Sequence, residues 1–258
     1  MAEQPHILAH ARYRELRSLS YDCAVLPWGA TEPHNLHLPY GTDTIEAGTI
    51  AAESARIAAG RGARLIVLPA LPFGVNTGQL GIPLTINMNP GTQKSVLADV
   101  IDSLEHHGVP KLVILNGHGG NEFKHMIREL QPRTKVFLCS VNWWVAVDPR
   151  AYFDVPGDHA GELETSVMMH IAPELVLPLA QAGEGIERPM RIRGFREGWA
   201  WTPRDWRRAT VDAGTGNPKA ATAEKGARYF EAVTRTIADF LTELSAADLA
   251  TLYEGEDR

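Results

Sequence analysis

The sequence predicts an α/β fold with a mostly parallel sheet, and three observations support this prediction. Short apolar runs alternate with longer stretches of helical periodicity, as in chains whose parallel strands are joined by helices. The runs at 64–68 and 111–115 have no charge after their first residue, which is typical of strands covered on both faces. The 258 residues contain no internal repeat or low-complexity linker, which favours one domain over residues 1–258.

Local signals then place each element along the chain. The apolar runs predict strands at 22–28, 64–68, 111–115 and 135–141. Small and apolar residues at helical spacing predict helices at 42–60, 94–107, 121–130, 161–171 and 219–241. Gly60 and Gly62 end the first of these helices, and Gly108 ends the second, because glycine is the usual residue just past a helix C-terminus.

Composition excludes several classes of protein. The formal net charge of −6 argues against a nucleic-acid partner, which needs a basic surface. No apolar run approaches the ~18 residues of a membrane span, and the N-terminus lacks the features of a secretory signal. The two cysteines, Cys23 and Cys139, lie in predicted strands, which excludes a disulfide framework. We therefore expect a cytoplasmic protein that acts on a small molecule, without membrane or nucleic-acid partners.

The strongest motif lies between the first predicted strand and the first predicted helix. Four residues with metal-ligand chemistry fall within it: Glu32, His34, His37 and Asp43. Ligands commonly bind at the carboxyl edge of a parallel sheet, where this segment begins. Carboxylate and imidazole ligands without cysteine suit Zn²⁺, Mn²⁺ or Fe²⁺. Asp43 could instead cap the helix, but its neighbours favour a role as ligand.

A second motif, Asn116-Gly-His118-Gly119-Gly-Asn121, follows the third predicted strand. Its glycines allow a tight turn and a close approach to a ligand. A glycine turn at a helix start can also bind an anion, but a phosphate loop would have Lys or Ser after its glycines. His118 is expected at the same sheet edge as Glu32 and His34, which together predict a metal site.

A third motif surrounds His159 and Glu164, which lie five residues apart at a predicted helix start. Both side chains could face one pocket, whereas Glu162 is expected to point elsewhere, into solvent. A capping or surface role for His159 is the alternative that this segment alone leaves open.

Two long segments fall outside the predicted elements. Residues 71–92 are rich in Gly, Pro and Asn, and structureless loops of that length are usually functional or disordered. Residues 183–218 carry Trp199, Trp201 and Trp206 among several arginines. We interpret this second segment as a surface loop or subunit contact, with a substrate-binding wall as the alternative.

Taken together, the motifs resemble those of the creatininase family. The resemblance rests on Glu32 to Asp43, on Asn116 to His118, on His159 to Ser166 and on Gly216 to Gly226. It implies a three-layer α/β/α sandwich, one or two divalent ions (Zn, Mn or Fe) per subunit, and a homo-oligomer, often a hexamer. It implies Glu32, His34, Asp43 and His118 as metal ligands, with Asp43 bridging the two ions. It assigns His159 and Glu164 to proton transfer and positioning, with His37, Asn116 and Gly119 supporting the site.

The chain also departs from the family. Creatininase has Tyr-Glu after the turn histidine, and that glutamate binds metal, whereas this chain has Gly119 and Gly120. Glu164 or Glu122 could replace the missing ligand, and we favour Glu164. Val155 stands where creatininase has a tryptophan, and Trp143 or Trp144 could correspond to its other tryptophan. Residues 78 and 79 are Gly-Gln where many relatives have Glu-His. Creatinine itself is therefore not the expected substrate.

The expected function is a metal-dependent amidohydrolase that acts on non-peptide C–N bonds. It would cleave a C–N bond of a cyclic amide or an N-acyl or formamide group through metal-bound hydroxide. Two alternatives stay open: a metal-dependent hydrolase or isomerase acting on a keto-sugar of the inosose type, and a non-catalytic metal-binding protein.

Overall fold

The structure, a computed structural model, describes residues 5–253, and in this part of the chain four strands form one parallel sheet. The strands are β1 (Cys23–Trp28), β2 (Leu65–Val67), β3 (Lys111–Asn116) and β4 (Phe137–Asn142). Their order is β2-β1-β3-β4, with Val25 beside both Val67 and Val113. The four predicted strands are confirmed, with ends that differ by one or two residues.

The described helices are α1 (Tyr13–Leu16), α2 (Thr42–Gly60), α3 (Pro90–His106), α4 (Phe123–Leu130), α5 (Glu162–Ile171), α6 (Arg193–Arg196), α7 (Trp206–Ala209) and α8 (Ala223–Ala246). The bounds predicted for α2 are confirmed. The predicted start of α3 was too late, because Pro90 occupies the first helical turn, where its missing N–H costs no hydrogen bond. The predicted start of α8 was too early, since the Thr222 side chain accepts a hydrogen bond from the Lys225 N–H and so caps the helix.

Alternate residues of the strands face two hydrophobic clusters, one on each side of the sheet. On one side Val25 and Val113 pack with residues of α2 and α8, including Ile50 and Val233. On the other side Leu26, Leu112 and Ile114 pack with α3 and α4. The architecture is therefore a three-layer α/β/α sandwich, as expected.

The register of the sheet determines where the loops meet. Trp28 pairs with Asn116, so β1 and β3 end side by side at the carboxyl edge. Gly117 follows directly, and a Cβ there would lie 2.5 Å from the carbonyl oxygen of Asp43. Only glycine allows this close approach, which places the loop after β3 directly against the start of α2.

The opposite edge of the sheet holds a buried cation. Lys111, at the start of β3, is 4% exposed. Its Nζ donates hydrogen bonds to the carbonyl oxygens of Leu244 (2.7 Å), Ser245 (3.1 Å) and Ala247 (2.7 Å). These carbonyls belong to the C-terminal end of α8, where a cation is favourable.

Within residues 5–253, none of the helices combines the length and apolar character needed to cross a bilayer.

Candidate metal centre

The loops at the carboxyl edge bring together six of the residues that the sequence singled out. Their ligand atoms form three overlapping groups, and within each group the atoms lie within 4.8 Å of one another. The groups are Glu32 with His34 and His159, Glu32 with Asp43 and His118, and His34 with Asp43 and Glu164. Five of the six side chains are buried, and Glu164 is half-buried.

Asp43 lies at the centre of this cluster. Its Oδ1 is 2.8 Å from His34 Nε2, and its Oδ2 is 3.0 Å from His118 Nδ1. The carboxylate makes no cap to α2, whose N-cap residue is Gly41. Each oxygen of Asp43 therefore faces a different imidazole, an arrangement that would suit a carboxylate bridging two ions.

The histidines of the cluster share one hydrogen-bonding pattern, in which the outer ring nitrogen lies against a backbone carbonyl. The pairs are His34 Nδ1 with Glu32 O (3.1 Å), His118 Nε2 with Val75 O (3.1 Å) and His159 Nε2 with Pro33 O (2.8 Å). A carbonyl only accepts, so each outer nitrogen is the N–H of the ring. In the neutral tautomer the inner nitrogen then carries the lone pair, as a metal ligand requires.

Without a cation, these inner lone pairs would face carboxylate oxygens. His118 Nδ1 is 3.0 Å from Glu32 Oε1 as well as from Asp43. Although burial opposes the charged form, Asp43 raises the pKa of His34 to about 10. Burial also opposes ionisation of His118, yet Glu32 and Asp43 raise its pKa well above the usual range. The cluster thus requires positive charge, either as protons or as a metal ion, and its donor set fits Zn²⁺, Mn²⁺ or Fe²⁺.

Glu164 is the carboxylate best placed to complete the cluster. Its Oε2 accepts a hydrogen bond from the Ala160 N–H, a residue held at a positive φ of 51°. Burial raises the pKa of Glu164, and Asp43 adds to this effect while His34 opposes it. Glu122, the alternative, is exposed and accepts a hydrogen bond from the Lys124 N–H at the start of α4.

The backbone at Gly120 explains why the ligand must come from elsewhere. A Cβ at Gly120 would lie 2.4 Å from both His118 Nε2 and the Val75 carbonyl oxygen. No side chain fits at that position without moving the turn. The path of the loop therefore leaves no room for the glutamate that creatininase has at this position.

The cluster opens into a cavity of about 930 Å³. Part of its wall comes from the segment 183–218, which is the position that the alternative of a substrate-binding wall predicts. Trp199 and Trp201 of the same segment are exposed, which agrees with a surface loop. The Trp206 ring lies edge-on to His159, with centroids 4.7 Å apart, and the Arg204 guanidinium lies 4.7 Å from the same ring.

Three residues that the sequence placed in or near the substrate site also line this cavity: Gly119, Trp143 and Trp144. Trp143 is 1% exposed, and its indole N–H has no hydrogen-bond partner in the described part of the chain. A buried donor without a partner carries an energetic cost.

Other residues of the motifs lie behind the cluster. His37 is buried, with Nε2 2.9 Å from Thr165 Oγ1, and does not line the cavity. Burial lowers the pKa of His37 to about 4, and the nearby His34 adds to that effect. Asn116 shapes the glycine turn, because its side chain accepts from the His118 N–H and donates to the His118 carbonyl.

The expectation for Glu162 was wrong. This residue is fully buried rather than solvated. Its carboxylate accepts a hydrogen bond from the Val155 N–H and forms an ion pair with Lys225. Position in the first turn of α5 suggested exposure, but α8 packs against α5 and supplies the lysine.

Two polar residues of the site were missed as functional candidates. Gln79, 3% exposed, donates a hydrogen bond from Nε2 to Glu32 Oε2. Glu46 is fully buried one turn after Asp43, and neither of its carboxylate oxygens has a partner among residues 5–253. Burial raises the pKa of Glu46 well above its usual range, with Glu164 adding to the effect. The spacing of Glu46 from Asp43 was a usable signal, since residues three apart share a helix face.

Fold and site together define a class of protein: an α/β/α sandwich with carboxylates and imidazoles clustered for a divalent ion at the carboxyl edge of its sheet. The chain belongs to the creatininase family, whose model, described as creatinine amidohydrolase, matches residues 9–241.

Individual relatives agree with this assignment. A mycofactocin precursor peptide peptidase of Mycolicibacterium smegmatis is 28% identical over 252 residues, which cover 91% of this chain and 90% of that protein. A solved structure from Bacteroides fragilis, provisionally named a creatinine amidohydrolase, is 47% identical with a TM-score of 0.91, covering 96% of this chain and 99% of that one. A mutant creatininase of Zn-Zn type is 25% identical with a TM-score of 0.75, covering 93% and 98%.

Proposed function

We propose that this chain is a divalent-metal-dependent hydrolase that cleaves an amide C–N bond. The observation that carries the proposal is the position of Asp43, which presents one oxygen to His34 and the other to His118. One ion would be held by Glu32, Asp43 and His118, and a second by His34, Asp43 and Glu164. Zinc is favoured because a mutant creatininase of Zn-Zn type shares the fold, and manganese stays a prediction from the carboxylate and imidazole donors.

A bound divalent ion would supply a Lewis acid and lower the pKa of its water from ~15.7 towards ~7. The transfer of the proton is assigned to a residue of the chain. His159 is held by its Nε2 on the Pro33 carbonyl, which leaves Nδ1 facing the cluster, 3.7 Å from Glu32 Oε1. It is placed to move a proton between the attacking water and the leaving nitrogen. General acid–base help of this kind typically contributes ~10²–10⁴-fold.

The substrate that we favour is an extended amide, such as a peptide or an N-acyl compound. The cavity of about 930 Å³ is far larger than a small cyclic amide requires, and the M. smegmatis relative is named a peptide peptidase. Arg204 of the cavity wall is paired with both Asp158 and Glu187 at 3.0 Å, which argues against a role for this residue in binding an anionic substrate. A homo-oligomer, a hexamer in particular, and a cytoplasmic location stay predictions.

The test combines metal analysis with product analysis. We expect wild-type protein to hold about two ions, His118→Ala to lose at least one, and Glu162→Gln, a buried carboxylate outside the cluster, to keep both. Amide hydrolysis in ¹⁸O-labelled water would place the label in the released carboxylate. Unchanged product mass would instead favour a keto-sugar isomerase. Failure to take up any ion would overturn the proposal and favour a binding protein without metal chemistry.

A further inference from the structure

The two carboxylate oxygens of Glu32 face different kinds of partner. Its Oε1 faces the imidazoles, 3.0 Å from His118 Nδ1 and 3.7 Å from His159 Nδ1. Its Oε2 instead accepts a hydrogen bond from the Gln79 side chain. One oxygen therefore points into the cluster, and the other is held from the side of the loop at 71–92.

The orientation of the Gln79 carboxamide follows from this contact. If the amide were turned over, its carbonyl oxygen would face a carboxylate oxygen, and neither atom can donate. Nε2 must therefore lie on Glu32. The remaining Oε1 of Gln79 is buried and has no partner within the described residues.

The backbone fixes Gln79 in place. Gly78 packs so closely against the cavity wall that a Cβ there would lie 2.0 Å from the carbonyl oxygen of Arg204. Thr77–Gln79 form a tight 3₁₀ turn at this point. The backbone next to Gln79 is thus held against the wall, and the carboxamide is held by its hydrogen bond to Glu32.

We propose that Gln79 is a positioning residue that makes Glu32 a single-oxygen metal ligand. An amide N–H₂ group donates but cannot coordinate a cation, so its bond to Oε2 turns that oxygen towards the loop and favours binding of the ion through Oε1 alone. One coordination position is then left for water or substrate, as a catalytic site requires. The inference rests on the metal-dependent function proposed above.

The experiment uses Co²⁺ alone as the probe, because its visible absorption reports coordination number. Metal-free protein is titrated with Co²⁺ as wild type, as Gln79→Met, which keeps the length but removes the donor, and as Gln79→His, whose ring N–H can donate again. The matched control is Gln93→Met. Gln93 is equally buried and donates to Asn121 Oδ1 at 2.8 Å, but does not contact a candidate ligand.

We expect Gln79→Met to weaken Co²⁺ binding by ~10–100-fold, as loss of a partner to a metal ligand typically does. Its absorption should also weaken, because Glu32 becomes free to bind through both oxygens. Gln79→His should restore much of both properties, and Gln93→Met should match wild type. If Gln79→Met does not fold, Gln79→Glu replaces it, since a carboxylate has no N–H and repels Glu32.

Equal affinity and equal spectra for wild type and Gln79→Met would overturn the inference while leaving the proposed function intact. Loss of affinity in Gln93→Met to the same extent would also overturn it, because the effect would then be a general one of buried glutamines. Wild-type protein that takes up no Co²⁺ would overturn the proposed function and this inference together.

Discussion

Buried charge is compensated at the start of strand β3 but not just past its end. At its start, Lys111 donates to backbone carbonyls at the end of α8, and the cation and its acceptors satisfy one another. Just past its end, His118 lies among carboxylates whose lone pairs face its inner nitrogen. Both groups are less than 10% exposed. Burial alone therefore does not distinguish the candidate site, whereas the uncompensated charge of its carboxylates does.

The largest effect is expected from a substitution in the cluster just past the end of β3. Asp43→Ala removes the carboxylate shared by two ligand groups, so metal content by elemental analysis should fall from about two ions per chain to less than one. Breaking a buried charge pair on one side typically costs ~3–5 kcal/mol, so the metal-free variant should also unfold more easily in urea.

Asp43→Asn is the matched variant, because it keeps the volume of the side chain and removes the charge. We expect it to lose metal as Asp43→Ala does. Retention of wild-type metal content in Asp43→Asn would contradict a bridging role, since a neutral amide is a poor bridge between two cations.

A substitution at Lys111, at the start of β3, should change the stability of the protein but not its metal content. Lys111→Met leaves the carbonyls of Leu244, Ser245 and Ala247 without their donor, and an unpaired buried polar group typically costs ~1–3 kcal/mol. Urea unfolding should show a loss of about 2–4 kcal/mol, while the metal content stays at the wild-type level. Lys94→Met serves as the control, because the exposed Lys94–Glu129 pair is worth no more than about 1 kcal/mol. A change in metal content in Lys111→Met would mean that the two ends of the strand are coupled.

Sequence reasoning predicted the metal cluster better than its surroundings, and the reason is geometric. Parallel strands end at a common edge, so motifs that follow β1 and β3 had to meet, and Glu32, His34 and His118 do. Local spacing likewise brought His159 and Glu164 to one pocket. These predictions needed only the strand positions and the residue types.

Contacts between distant segments could not be predicted in the same way. Gln79 reaches Glu32 only because the loop at 71–92 folds back over the sheet edge, and no local pattern encodes that path. The burial of Glu162 depends on Lys225, 63 residues further along the chain. The segment 183–218 became a cavity wall for the same reason, since its position depends on tertiary packing rather than on its composition.

The pH dependence of metal binding gives a finer test of the cluster. In the metal-free protein the pKa of His34 is raised to about 10, so its inner nitrogen carries a proton at neutral pH. A metal ion must displace that proton, and its affinity should therefore rise with pH between 6 and 9, by about 1.4 kcal/mol for each proton released and each pH unit. Calorimetric titration with Mn²⁺ in two buffers of different ionisation enthalpy counts the protons. An affinity independent of pH would contradict the raised pKa.

The smallest expected effect concerns Glu46, whose burial beneath the cluster raises its pKa well above the usual value. In the unfolded chain this carboxyl ionises near pH 4.5, whereas the folded state keeps it protonated to higher pH, so its contribution to stability is lost as the pH rises above 4.5. Glu46→Gln keeps the shape and never ionises. We therefore expect it to stabilise metal-free protein by about 1 kcal/mol at pH 8 and by much less at pH 5.

Thermal unfolding at these two pH values in the presence of a chelator measures the difference. Glu162→Gln is the control with the opposite sign, because that buried carboxylate is paired with Lys225 and should destabilise the protein when neutralised. Lower stability of Glu46→Gln at pH 8 would show that the Glu46 carboxylate is ionised and has a partner in the folded protein. Glu46 would then resemble Lys111, a buried charge that has partners, rather than the residues of the cluster.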